Sequence, residues 1–166
     1  TAGAKHIGIL LHEEADGWLT LTIQDDGKGM DEETLRQVTD PFYTTRTTRK
    51  VGMGIPLLTL AAEQTGGTVT IRSRPKETHP DDHGTEVLAT FQTRHLDFTP
   101  LGNVTDSLCV LIQGNPEIDF TFIHTAPTFS VAFSTEEIRQ ILGNEVSLAE
   151  YEVIAWIRGY IEQQYE

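Results

Sequence analysis

Cysteine is almost missing. Cys109 is the only one in 166 residues, so no disulfide can form within the chain. It lies in the apolar run "SLCVLI", which reads as the setting of a buried, inert thiol. Long apolar runs are missing too, and none approaches the roughly 20 residues that span a bilayer. The first residues do not show the charged-then-apolar pattern of a secretory signal, and a cytoplasmic location is expected. There are no internal repeats and no low-complexity tract. Positive charge is scarce: 12 Lys and Arg stand against 25 Asp and Glu, a formal net charge of −13. Such a surface repels free nucleic acid. Disulfide scaffolds, membrane spans and polyanion binders are thereby set aside, leaving one core, or one core plus a small appended unit.

The charge is unevenly spread. Residues 1–94 hold 14 acids against 10 Lys and Arg, a net of −4, whereas residues 95–166 hold 11 against 2, a net of −9. The pattern along the chain changes at the same place. "KHIGILLH" and "WLTLTIQ" alternate with period two and predict a hairpin turning at "ADG", 15–17. "DEETLRQV" predicts a short helix with Leu35 and Val38 inward, and "IPLLTLAAEQTGG" a second helix starting near Gly54, where Pro56 is tolerated. "TVTIRS" and "GTEVLATFQ" predict two more strands around a polar loop. After Pro100 come an apolar helix, a hairpin across Pro127, and two helices. Each of these opens on an apparent capping box, Ser134 with Glu137 and Ser147 with Glu150. The last helix is expected to bury Val153, Trp156, Ile157 and Tyr160 on one stripe. The acidity of this part suits a solvated face or a basic partner protein.

Two stretches carry chemistry. In "IQDDGKGM", a strand ends at Asp25, and Gly27 and Gly29 follow at spacing two, where the backbone can approach a flat ligand that a Cβ would block. A carboxylate there can accept a hydrogen bond from an exocyclic amine. Alone, the stretch reads more readily as a surface turn than as a site. It is not a calcium-binding EF-hand loop, because the alternating oxygen ligands and the closing Glu are missing. The second stretch, "DPFYTTRTTRKVGMGI", gathers Arg46, Arg49 and Lys50 before Gly52, Met53 and Gly54 at the mouth of a helix. Unpaired backbone N–H groups and the positive helix end make an anion site there, which the cations can reach as charge-assisted donors. The bland alternative is a solvated loop. Together, in this order and with a helix between them, the two stretches point to a purine triphosphate.

That order resembles the ATP-binding domain shared by histidine kinases, anti-sigma-factor kinases, type II topoisomerases, Hsp90-type chaperones and mismatch-repair ATPases. "DDGKGM" resembles the first glycine box, "DPFYTTR" the phenylalanine box of histidine kinases, and "GMGI" the second glycine box. "TGGTVTIRS" and "GTEVLATF" resemble the strands beyond it. The likeness is nearest the histidine-kinase branch. It implies an α+β fold of the Bergerat type, a two-layer α/β sandwich with a mixed, largely antiparallel sheet and helices on one face. The domain would occupy residues 1–94 without its first helix, followed by a linker at 95–103 and a small α-β-β-α-α unit at 104–166.

The resemblance also implies roles. Asp25 would bind the adenine amine, Gly27 and Gly29 would shape the adenine floor, and Met30 and Ile55 would join the nucleotide-binding set. Phe42 would pack beneath a lid containing Thr44, Thr45 and Arg46. Gly52, Met53 and Gly54 would offer N–H groups to the phosphates, with Thr85 beside the adenine end. ATP and Mg²⁺ are the implied cofactors. "TAGAKHI" resembles the tail of the family's first helix, so the Asn that helps hold Mg²⁺, and any general base, are expected upstream of Thr1. None of the six histidines has the setting of a phosphoacceptor, and His79 and His83 read as a solvated loop rather than a metal pair. The implied activity is an ATP-dependent kinase with its acceptor on a partner protein, and a homodimer is allowed. The alternatives are an ATP-driven switch or a nucleotide-binding interaction module.

Overall fold

In the computed structural model, residues 3–39, 54–143 and 146–166 are described. The first strand, β1 (His6–Glu13), turns back at Gly17 (φ +95°) into β2 (Trp18–Asp25). Helix α1 (Glu32–Thr39) follows. Its first turn is acidic, and Asp31 caps it by accepting from the Thr34 N–H at 2.7 Å. That amide holds the exposed Asp31 carboxyl below its ordinary pKa of 3.8. Helix α2 (Gly54–Gln64) leads into β3 (Val69–Arg74) and β4 (Gly84–Gln92). Then come α3 (Val104–Gly114), β5 (Asp119–Thr125), β6 (Ser130–Ser134), α4 (Thr135–Leu142) and α5 (Tyr151–Tyr165). This is the expected α+β class, and the last five elements run in the expected α-β-β-α-α order.

All six strands join one sheet in the order β3-β4-β2-β1-β5-β6. Every pairing is antiparallel except β1 with β5, which is parallel and sets Ile7 beside Phe120 and Ile9 beside Phe122. The sheet therefore runs without a break from the first strands to the last hairpin. Register sorts the side chains. Leu11, Leu19, Ala89, Phe91, Phe120, Phe122, Val131 and Phe133 fall on one face and are buried, while His6, Gly8, Leu10 and His12 alternate onto the other. Helices α2, α3 and α5 cover the buried face, and their apolar residues form one cluster with it.

Polar ties close the structure at its margins. Buried His124 shares hydrogen bonds with Glu13 Oε1 (2.9 Å) and the Tyr165 hydroxyl (2.8 Å), joining β1, β5 and α5. Burial, reinforced by the Glu13 charge, raises the Tyr165 pKa above its ordinary value. Burial, with Glu162 nearby, likewise raises that of the buried Cys109 thiol. On the outer edge of the sheet, the Ala132 N–H donates to Gln164 Oε1 at 3.0 Å, so a side chain of α5 blunts an edge strand.

Two expectations about the last helices are corrected. Helix α5 buries Val153, Ile154, Ile157 and Ile161, and leaves Trp156 53% and Tyr160 43% exposed. Two stripes of three-to-four spacing overlap in this helix, and the one built of β-branched residues faces the core. The second capping box fails because the helix starts at Tyr151, after Ser147 has closed a turn with the Ala149 and Glu150 amides. At the first, Ser134 is the N-cap residue, but its side chain makes no cap hydrogen bond.

Candidate functional site

β2 ends at Asp25 on the helix-covered face, directly opposite Thr85 of β4, which in turn pairs with Ser73 of β3. Three short polar side chains thus share one end of the sheet. The Ser73 hydroxyl lies 2.8 Å from that of Thr85, donates to the Gly84 carbonyl at 3.0 Å, and receives the Met30 N–H at 2.8 Å. Asp25 Oδ1 accepts from the Gly27 N–H at 2.8 Å. The carboxylate is therefore fixed by its own loop, and Oδ2 has no hydrogen bond among the described residues.

The loop after Asp25 is held against the segment between β3 and β4. The Lys76 N–H donates to the Lys28 carbonyl at 2.9 Å, and the His83 ring nitrogen Nδ1 meets the Gly27 carbonyl at 2.6 Å. The contact is too close for larger residues. Gly29 has φ +68°, and a Cβ there would lie 2.0 Å from the Arg74 carbonyl oxygen; at Gly84, φ is +138° and a Cβ would lie 1.9 Å from that of Asp25. Glycine at 29 thus permits the loop to lie on β3, and glycine at 84 lets β4 begin against Asp25. Asp26 ties the same loop to β1, its Oδ1 accepting from the Lys5 and His6 amides at 2.7 and 2.9 Å. Slight burial works to raise its pKa, but these amides prevail and hold it below 3.8.

Helix α2 begins at Gly54, with Ile55 and Pro56 in its first turn. Its far end is pinned beside Thr90, because the Gly67 N–H bonds back to Ala62 and a Cβ at Gly67 would lie 1.7 Å from the Thr90 carbonyl oxygen. The chain then reverses into β3, which runs toward the Asp25 end. Since α2 packs along β3 and β4, its N-terminus is directed to that same end. Of the thirteen residues expected to bind nucleotide, Asp25, Gly27, Gly29, Met30 and Thr85 meet here, and Gly54 and Ile55 open the helix directed at them. Phe42, Thr44, Thr45, Arg46, Gly52 and Met53 lie outside the described residues, as do Arg49 and Lys50.

Sequence reasoning missed Ser73 and His83. Ser73 stands in an alternating strand and looks like any polar strand residue, whereas His83 lies in a polar loop where neither a phosphoacceptor nor a metal role fits it. Among the described residues, no group of three His, Cys, Asp or Glu side chains could hold a metal ion, so no residue is assigned to Mg²⁺. A surface cavity of about 490 Å³, lined by His6, Gly8, Thr121, Asp25, Asp26 and His83 among others, opens at this end of the sheet, mainly on the opposite face. Asp25, Asp26 and His83 therefore border this cavity as well as the candidate site.

Residues 1–95 match the family model described as histidine kinase-, DNA gyrase B-, and HSP90-like ATPase. Two curated relatives are sensor histidine kinases. ZraS of Klebsiella oxytoca is 32% identical over 69 residues, or 42% of this chain. TtrS of Salmonella typhimurium is 34% identical over 80 residues, or 48%. The chain spans only 15% and 13% of their lengths. Among solved structures, the N-terminal domain of a DNA repair protein aligns with 86% of this chain and 53% of its own, at TM-score 0.52 and 17% identity, a likeness of fold alone. The mycobacterial sensor histidine kinase MprB aligns with 54% of this chain and 60% of its own, at TM-score 0.40 and 20% identity.

Proposed function

The chain belongs to the histidine kinase-, DNA gyrase B- and HSP90-like ATPase family, and on that premise we propose that it is an ATP-dependent kinase in signal transduction whose phosphoacceptor lies on a partner protein. Its coarser character, an ATP-binding chain of histidine-kinase-like type, follows from the family itself. In this reading Asp25 accepts a hydrogen bond from the adenine amine through the oxygen that Gly27 leaves free. Gly27 and Gly29 leave room for the ring, Met30 and Ile55 line it, and Thr85 stands beside it. Gly52, Met53 and Gly54 at the mouth of α2 offer N–H groups to the phosphates. The proposed role of Phe42 is to pack beneath the lid, and that of Thr44, Thr45 and Arg46 is to act in or near it. Bound ATP supplies the phosphoryl group for in-line transfer.

The observation that carries this reading is a fixed carboxylate at a strand end, with the N-terminus of α2 directed to the same end of the sheet. The kinase assignment also draws support from both curated relatives being sensor histidine kinases, and from His124 being buried and engaged rather than offered as an acceptor. The test incubates the protein with γ-labelled ATP and candidate partners. Label on a partner is expected; free phosphate alone would reject the kinase in favour of a second reading, an ATP-driven switch. That alternative is favoured by one feature, the direct pairing of β1 with β5, through which a change near Asp25 would reach the C-terminal elements.

A further inference from the structure

Residues 95–166 carry only two Lys or Arg side chains against 11 acids. Both are committed internally. Arg139 Nε is 2.7 Å from Asp119 Oδ1, and Arg158 pairs with Asp106. Each cation thus neutralises a carboxylate of its own half, and among the described residues eight further acids there have no Lys or Arg partner. Four of them, Glu150, Glu152, Glu162 and Glu166, are exposed on α5 or at its ends.

The same helix displays an aromatic platform. Trp156 and Tyr160 stack one turn apart with ring centroids 5.3 Å apart and planes 12° from parallel. Tyr160 also leans on Phe133 of β6 at 6.4 Å, so the stack is braced from below rather than free. Glu152 precedes Trp156 by four residues on the same stripe. Ala155 and Gly159 occupy the neighbouring stripe, where no large side chain screens the rings. Exposed Trp and Tyr are the residue types that anchor protein interfaces, and Trp offers the best aromatic face for a cation.

We propose that the outer face of α5 is a docking surface for a Lys- and Arg-rich segment of a partner protein. The aromatic stack takes up a guanidinium or ammonium group, and Glu152, Glu162 and Glu166 pair with the cations beside it. Charge complementarity selects this occupant, because a face with no uncommitted cation among its described residues repels acidic chains and anionic membrane alike. This surface does not rest on the kinase reading.

A synthetic 12-residue peptide of alternating Arg, Lys and Gly, free of any phosphoacceptor, serves as the probe, with a Glu and Asp counterpart as control. It is titrated without ATP while ¹H–¹⁵N spectra are recorded. The expected result is movement of the Trp156 indole signal and the α5 amides, with the Trp18 indole still. Trp156→Ser, checked by thermal melting, should weaken binding at least fivefold although the net charge is unchanged, and Glu152→Gln with Glu162→Gln should flatten the salt dependence. Equal affinity for Trp156→Ser would reduce the effect to general attraction and overturn the proposal. So would a dimer in the peptide-free protein that Trp156→Ser dissolves, since the occupant would then be a second copy.

Discussion

The two halves of the sheet divide their labour. On the β2–β4–β3 side, helices α1 and α2 are thinly anchored: α1 has no buried residue and α2 has only Ala62. On the β5–β6 side, α3 and α5 each bury four residues, and the fully enclosed side chains concentrate there, including Phe120, Phe122, Ile112, Ile157 and Ile161. The candidate site stands at the loosely covered end, held by hydrogen bonds and close-fitting glycines rather than by apolar packing. Stability and ligand contact thus come from different residues. Segments with few buried contacts open at lower free energy than the core, and a nucleotide site benefits from that.

Substitutions can break this contrast. The largest effect is expected for Phe122→Ala in the fully buried middle of β5, where truncation of a core aromatic should cost about 3–5 kcal/mol in denaturant unfolding. Leu57→Ala on α2, where the side chain is 56% exposed, should stay within about 0.5 kcal/mol. If the two values were alike, the division between halves would be wrong. Gly84→Ala should lower stability by more than about 1 kcal/mol and also weaken ATP binding, because the added carbon meets the Asp25 backbone. A stability loss with ATP affinity intact would detach that glycine from the site.

The smallest effect belongs to Asp26. Its folded pKa is depressed, so its contribution to stability is complete above the ordinary carboxylate value of 3.8 and is lost as pH falls through the folded value. Asp26→Asn should therefore flatten the acid limb of a stability–pH curve while leaving neutral stability lower. An unchanged acid limb would remove Asp26 from the account.

Much of this was legible in the sequence, for identifiable reasons. Strict alternation in β1 and β2 shows which side chains face the core. Glycine spacing after Asp25 marks a loop of close backbone approach, expected toward a flat ligand, whereas at Gly29 the close neighbour is the Arg74 backbone of β3. Two matters were hidden. The parallel pairing of β1 with β5 joins residues more than a hundred positions apart, and no local pattern announces it. The exposed Trp156 was read as core because large aromatics usually are. Its helix carries a competing stripe of isoleucine and valine, and only packing decides between the two. Ser73 and His83 support the loop through backbone groups, which leave no trace in residue type.

The central claim, that Asp25 grips the adenine end of ATP, is tested most directly by calorimetry of ATP binding to the wild-type chain and to Asp25→Asn. The amide can still accept the Gly27 N–H, so the loop should keep its shape and the melting temperature should barely move. Loss of one charge-assisted hydrogen bond, worth about 1.5–3 kcal/mol, predicts a roughly tenfold to hundredfold rise in Kd. Equal affinity in a folded variant would contradict it.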